Sequence, residues 1–213
     1  MSDELPNKDI FKAYDIRGVV DRDLTAPVVK KIGKAIGTAA LSKDQKIICV
    51  GYDGRISSSL LAKELIEGMT STGIDVINIG LCTTPMLYFS NFHLSTKTGV
   101  MITGSHNPPE YNGFKIVINE KTLSTFEIQN LYKIILDSNY KEGNGQVKSK
   151  NIKKDYLKKI IDTIKMKRPM KVVIDCGNGA GGVCAEELFK SLGVDVEAIF
   201  CDVDGNFPNH HPD

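Results

Sequence analysis

The sequence predicts an α/β protein with mixed, mostly parallel sheets flanked by helices, one complete domain followed by the opening of a second. Three observations carry that expectation. Short apolar runs such as residues 46–51 (KIICVG) have the length and content of buried strands. Segments with apolar residues at helical spacing follow them. The succession strand, helix, strand then recurs, and that alternation builds a parallel sheet with helices on its faces.

The elements follow in order. Thr25 is placed to cap a helix with Pro27 in its first turn and Val29, Ile32 and Ile36 on one face. After the strand at 46–51, Ser57 or Ser58 caps a second helix whose stripe is Leu61, Leu65, Ile66 and Met69, and Gly73 ends it. Residues 74–80 (IDVINIG) return as a strand, and 99–103 (GVMIT) and 113–119 (GFKIVIN) read as two more around a polar loop. Ser124 and Glu127 have capping-box spacing, ahead of a helix burying Ile128, Leu131 and Ile135. Residues 138–151 (SNYKEGNGQVKSKN) are polar and rich in Gly and Lys, the composition of a linker, which divides the chain into domains at 1–150 and 151–213. A helix through Leu157, Ile160, Ile161 and Ile164 opens the second. Residues 171–200 then repeat the design of 46–80: apolar strand, turn with Asp and Gly, amphipathic helix, Gly-[VI]-Asp-Val and another strand. With only about 60 residues, this second domain is shorter than the roughly 100–150 usual for one.

Composition narrows the partner classes. Of 213 residues 41% are hydrophobic, enough for a buried core, and the net charge of +1 comes from Lys and Arg scattered among acids. Neither nucleic acid nor an anionic membrane is expected to bind such a surface, and a small molecule is the better partner. The five cysteines are widely spaced with no C-x-x-C pair, which suits buried free thiols in a reducing compartment. The polar, acidic start MSDELPNKDIFK is unlike a signal peptide, and no apolar run nears the ~20 residues of a membrane helix, so a cytoplasmic location is expected.

Several motifs have a bland reading that outweighs the functional one. The turn at 175–182 (DCGNGAGG) could receive a phosphate, but it matches neither G-x-x-x-x-G-K-[ST] nor G-x-G-x-x-G, and strand-helix packing needs glycines anyway. Residues 202–206 (DVDGN) start like a calcium loop but have Phe207 where glycine belongs, and no closing Glu follows. His210 and His211 are neighbours, so they point apart and do not share a metal. His93 stands alone among apolar residues and reads as structural.

The loop 103–115 (TGSHNPPEYNGFK) is different. It follows an apolar strand, where side chains emerge into a cleft, and carries Ser105, His106, Asn107 and Lys115. Adjacent Ser and His rarely align as a hydrolase pair, and no G-x-S-x-G elbow is present. Phosphoryl transfer needs an exposed hydroxyl, cations for the phosphate oxygens and a proton acceptor; Ser105 is such a hydroxyl, and Lys115 and Arg17 are candidates for the positive charges.

Five segments in order, FKAYDIRG (11–18), GYDGRISS (51–58), MITGSHNPPEYNGFK (101–115), DCGNGAGG (175–182) and DGNFPNHHPD (204–213), resemble the motifs of the α-D-phosphohexomutases over nearly the whole chain. The YDIRG form is more similar to the phosphomannomutase/phosphoglucomutase branch than to the phosphoglucosamine mutase branch, which stays as the alternative within the family. A catalytically silent phosphosugar-binding module is the alternative from another class. The resemblance implies interconversion of the 1- and 6-phosphates of mannose or glucose through a phosphoserine and a hexose 1,6-bisphosphate, which also serves as activator. By it Ser105 is the phosphoserine and Lys115 the general acid/base; a lysine serves so only where burial or nearby cations favour its neutral form. Arg17 and Tyr14 would organise the phosphate, and His106 and Asn107 would support the loop by hydrogen bonds. It also implies Mg2+ held between the phosphoserine and a DGDGDR-like loop that does not occur before Asp213, so that Ser105 alone of the metal site is on this chain. The partners implied are a phosphorylated hexose and C-terminal domains of the same polypeptide, without which the 213-residue chain is expected to be inactive.

Overall fold

The computed structural model describes residues 4–212. Fifteen elements follow one another: β1 (Ile16–Val19), α1 (Ala26–Leu41), β2 (Ile47–Tyr52), α2 (Ser58–Thr70), β3 (Asp75–Leu81), α3 (Thr84–His93), β4 (Gly99–Ile102), β5 (Tyr111–Ile118), β6 (Lys121–Thr122), α4 (Thr125–Leu136), β7 (Val147–Ser149), α5 (Lys153–Thr163), β8 (Lys171–Asp175), α6 (Ala185–Ser191) and β9 (Asp195–Ile199). The main sheet runs β1-β5-β4-β2-β3-β7, with β6 against β5, and β8-β9 form a separate parallel pair. β4, β2, β3 and β7 are parallel neighbours. β5 runs antiparallel to both β4 and β1, so the loop joining β4 to β5 emerges where the parallel strands end.

Side chains alternate across this sheet and feed two cores. Ile48, Val50, Val100, Ile102, Phe114 and Ile116 pack with α1, α2 and α4. Cys49, Ile79 and Met101 face the other way, onto Met86 and Leu87 of α3 and Leu157 of α5. Val29, Ile32 and Ile36 of α1 are fully buried, each removal from water worth about 1.5–3 kcal/mol. Helices α1 and α2 touch backbone to backbone: a Cβ on Gly33 would lie 2.3 Å from the carbonyl oxygen of Leu65, and one on Gly68 would lie 2.1 Å from that of Lys30.

Thr25 caps α1 through its side chain, and the Ser124–Glu127 capping box closes the start of α4. Ser57 holds the corresponding place before α2, but its backbone is already helical and its hydroxyl makes no cap bond. Ser58 is instead buried, giving its hydroxyl proton to Asp53 at 2.6 Å. Helix α3 lay outside the sequence expectations because its apolar residues do not keep to one face; Phe92 points outward, 67% exposed. His93 ends this helix, stacked on Phe89 at 5.0 Å and paired with Asp155 at 3.4 Å, a structural role at a half-exposed position. Three residues of the linker-like stretch form β7 and pair with Val76, Ile77 and Asn78 of β3. In α5 only Leu157 is buried, and Ile164 lies beyond the helix end, 45% exposed. Cys49, Cys82 and Cys184 are buried thiols as expected, whereas Cys176 and Cys201 are only half-buried.

Candidate functional site

The β4–β5 loop is held from behind by a side chain the motif reading did not single out. Arg55, in the turn after β2, is only 3% exposed. Its Nη1 donates to the carbonyl oxygens of Pro108 (2.6 Å) and Tyr111 (3.1 Å), and its Nη2 to those of Ser105 (2.9 Å) and Asn107 (2.6 Å). Asp53 lies 3.3 Å from its Nε, and the Phe207 ring centroid 5.4 Å from its Cζ. Burial pushes the guanidinium below its ordinary value while Asp53 pulls it back up, and an arginine stays charged through both. Gly104 makes room for this approach: a Cβ there would sit 2.3 Å from Arg55 Cζ. Signals for Arg55 in the sequence are slight, because its four carbonyl partners lie 50 to 56 residues away.

Ser105 sits at the turn of this loop with φ +56°, a left-handed conformation that costs a non-glycine residue of order 1–3 kcal/mol. Its backbone N–H is held by Thr103 Oγ1 at 2.9 Å. Half-buried Ser105 lines a cleft of about 280 Å³, near the lower end of ligand pockets, together with Asp53, Thr103, Asp175, Gly177 and His210. The glycine turn at 175–182, which strand-helix packing alone would explain, is therefore the wall opposite Ser105. It leads into a short 3-10 turn at Ala180–Val183 rather than directly into an α-helix, so it lacks the helix N-terminus of a dinucleotide site.

Both carboxylates on the cleft have a basic side chain as partner. Asp53 is paired with Arg55, and Asp175 accepts from His210 Nε2 at 3.1 Å. The other nitrogen of His210 faces the carbonyl oxygen of His211 at 2.7 Å. Both ring nitrogens thus meet acceptors, which favours the imidazolium; the His211 carbonyl first and then Asp175 raise His210 above its ordinary value. In turn, the His210 hydrogen bond and then the Gly177 N–H hold Asp175 below its own. His211 enters this arrangement through its backbone carbonyl. Asn178, 5% exposed, fastens the turn to the final segment: it donates to the Asp202 carbonyl at 2.9 Å and accepts from Asn209 Nδ2 at 2.7 Å.

The other residues singled out in the sequence, Arg17, Lys115, Tyr14, His106 and Asn107, do not line this cleft. Arg17, on β1 opposite Gly113 of β5, donates to the Gly104 carbonyl at 3.4 Å and pairs with Asp15 at 2.6 Å. Its Nε is buried without a hydrogen-bond partner, an orphan donor that a ligand oxygen would satisfy. Lys115 stands opposite Met101 in the β4–β5 ladder, two residues along from Gly113, so it shares a sheet face with Arg17. Tyr14 is 65% exposed beside that strand. Asn107 joins the loop through its backbone, donating to Gly104 and accepting from Arg55. His106 is exposed, and the hydrogen bonds expected of it are supplied by Arg55 and Thr103. Among the described residues no group of three or more His, Cys, Asp or Glu side chains is gathered to hold a metal ion.

Comparison with known proteins bears directly on this arrangement. The model for phosphoglucomutase/phosphomannomutase alpha/beta/alpha domain I matches residues 8–142, and that for domain II matches residues 154–213. The chain belongs to the phosphoglucomutase/phosphomannomutase family. A phosphomannomutase/phosphoglucomutase of Pseudomonas aeruginosa is 50% identical over 204 residues, 96% of this chain and 44% of the relative. A phosphoglucomutase of Neisseria meningitidis is 48% identical over 208 residues, 97% of this chain and 45% of its own. The crystal structure of a phosphoglucomutase/phosphomannomutase family protein from Burkholderia thailandensis superposes with a TM-score of 0.95 at 40% identity, covering 98% of this chain and 47% of that one. The chain thus spans under half the length of the phosphohexomutases it matches. No helix among its described residues is long and apolar enough to cross a membrane.

Proposed function

We propose that this chain carries the phosphoserine side of a hexose-phosphate mutase acting on mannose or glucose phosphates, within a longer polypeptide whose further domains supply the remaining sugar contacts. The observation that carries the reading is Ser105: a hydroxyl held in a strained left-handed conformation, its peptide clamped by Arg55 and Thr103, at the edge of a cleft whose carboxylates are each paired with a basic side chain. The names of the relatives support the choice of sugars over glucosamine.

In this reading Ser105 Oγ carries a phosphoryl group in the resting enzyme. A hydroxyl of the hexose phosphate attacks phosphorus as the bond to Oγ breaks, and Lys115 relays the hydroxyl's proton to the departing Oγ. The product is a hexose 1,6-bisphosphate. After it has reoriented, Ser105 Oγ attacks its other phosphoryl group and Lys115 returns the proton to the departing sugar oxygen. Atoms balance over the cycle, and no nucleotide is consumed. Arg17 binds the phosphoryl oxygens: its orphan Nε and its hold on the Gly104 carbonyl put a fixed cation beside the serine. Bound Mg2+ would supply further charge neutralisation, but the described residues of this chain do not by themselves make a site for it, and no step is routed through one.

The test is turnover by the polypeptide that carries this chain, with mannose 1-phosphate, glucose 1-phosphate and glucosamine 1-phosphate, each with and without a hexose bisphosphate. Interconversion of the first two, lost at least about 10³-fold in Ser105→Ala, is the expected result. Full activity of that variant would overturn the mechanism, and binding without turnover would favour the silent module. A preference for glucosamine 1-phosphate would move the assignment to the other branch.

A further inference from the structure

Two cysteines form part of the wall opposite Ser105 without a part in the chemistry above. Cys176 follows the last residue of β8 and Cys201 lies two residues beyond β9, neighbouring parallel strands that end at the cleft. Their sulfurs are 3.3 Å apart, and both residues are half-buried. The Cys176 N–H is bonded to the Ile199 carbonyl at 3.2 Å, which ties the two strand ends together beside the thiols. A disulfide sulfur pair is about 2.05 Å apart, so bond formation needs a closure of little more than one ångström, within reach of small side-chain rotations. Among the described residues no other two cysteine sulfurs are in contact: Cys49, Cys82 and Cys184 are each buried in the second core.

We propose that Cys176 and Cys201 are a reversible disulfide site that sets the stiffness of the cleft wall. The oxidant is a small-molecule disulfide of the glutathione type. A Cys201 thiolate attacks one of its sulfurs and releases one thiolate; Cys176, losing its proton to solvent, then attacks the Cys201 sulfur and releases the second. Two protein thiols lose two protons and two electrons, and the oxidant takes up both electrons as its own sulfur–sulfur bond breaks. Burial, and then the Cys201 sulfur beside it, push the Cys176 thiol up to about 12, so it is the poorer opening nucleophile and closes the bond only once held against its partner.

The position makes the bond consequential. Asp175 and Gly177 flank Cys176 and line the cleft, while Asp202, whose carbonyl holds Asn178, flanks Cys201. Oxidation therefore ties the glycine turn covalently to the segment that places His210 and Phe207. This consequence for turnover rests on the mutase reading, whereas the thiol chemistry does not.

Treatment of the chain with oxidised glutathione in excess over reduced should lower its titre of free thiols from five to three and leave no bound glutathione. Trypsin cuts after Lys190, so Cys176 and Cys201 fall on separate peptides that should run as one species until reduced. Cys184 shares the Cys176 peptide, and Cys184→Ser should leave the crosslink intact while Cys176→Ser and Cys201→Ser abolish it. If a variant does not fold, differential alkylation of the unaltered chain reads the same pairing. Five titratable thiols after oxidation, or a link involving Cys184, would overturn the proposal. In the longer polypeptide, oxidation should lower kcat/KM at least about threefold, reversibly and only with both cysteines present. A trapped bond with unchanged turnover would refute the effect on the cleft. A reduced enzyme with no mutase activity would instead refute the functional reading and leave the disulfide standing.

Discussion

Replacing Arg55 with alanine removes the donors of four carbonyls and the cation beside Asp53 in one step. Hydrogen bonds to a charged group contribute about 1.5–3 kcal/mol each, so four taken independently would total roughly 6–12 kcal/mol. That sum is too large, because Ser105 and Asn107 are half-buried and Pro108 is exposed, and water replaces much of what their carbonyls lose. Asp53 also keeps the Ser58 hydroxyl at 2.6 Å and the Arg55 backbone N–H at 3.1 Å. Breaking a buried ion pair costs about 3–5 kcal/mol, and that figure is the better guide for a guanidinium that is 1% exposed. Against a total stability of about 5–15 kcal/mol, Arg55→Ala should shift the urea midpoint strongly, followed by far-ultraviolet circular dichroism since the chain has no Trp. Amide exchange should accelerate at Ser105, Asn107 and Tyr111, whose N–H groups are bonded within the loop. Arg55→Lys keeps the charge but not the fork, and should lie between the two. A loss under about 1 kcal/mol, with exchange of the loop amides unchanged, would refute the role given to Arg55.

Gly104→Ala attacks the same clamp from the other side: its Cβ would fall 2.3 Å from Arg55 Cζ and 2.7 Å from the Tyr111 carbonyl oxygen, and an overpacking loss of about 1–3 kcal/mol is expected in the same urea titration. Glu127 is held down to about 2, first by Lys43 and then by the Ser124 N–H, so its contribution is present above the ordinary glutamate value of 4.5 and fades as pH falls towards 2. Glu127→Gln should cost about 0.5–1 kcal/mol at neutral pH, a modest figure because the Lys43 pair is partly exposed, and the cost should vanish in acid. For the cleft pair, His210 is raised from 6.5 and Asp175 lowered from 3.8, so their attraction is complete between those two values. It is lost as pH rises through the folded His210 value or falls through that of Asp175. Proton NMR of the imidazole should show titration above 6.5 that moves down in Asp175→Asn; an unmoved midpoint would break the assignment.

Elements whose stability is local were legible in the sequence. Thr25 with Pro27, the Ser124–Glu127 box and the strand at 46–51 each announce themselves within a few residues, and they stand where expected. The misses come from longer range. Helix α3 wraps its apolar residues around the axis because it meets the sheet on one side and α5 on another, which blurs any single stripe. Ser57 has the composition of a cap, but Asn112 draws both it and Ser58 into a buried hydrogen-bond cluster. At the candidate site Ser105, Arg17 and Lys115 were visible as residue types. The clamp by Arg55, the placing of the glycine turn across from Ser105 and the Asp175–His210 pair were not, because each joins segments tens of residues apart through contacts that no local pattern encodes.

The three residues of β7 have a use separate from the chemistry. Without them β3 would be the outer strand of the main sheet, presenting a row of unpaired amides and carbonyls over seven residues that include Val76, Ile77 and Ile79. An edge of that length and hydrophobicity is a template for another chain. Val147–Ser149 covers its middle with a short exposed strand carrying Lys148, too brief and too charged to recruit a further partner. A chain ended at residue 142, where the domain I match stops, would lose this cover and should self-associate through β3, whereas one ended after Ser149 would keep its sheet closed to neighbours.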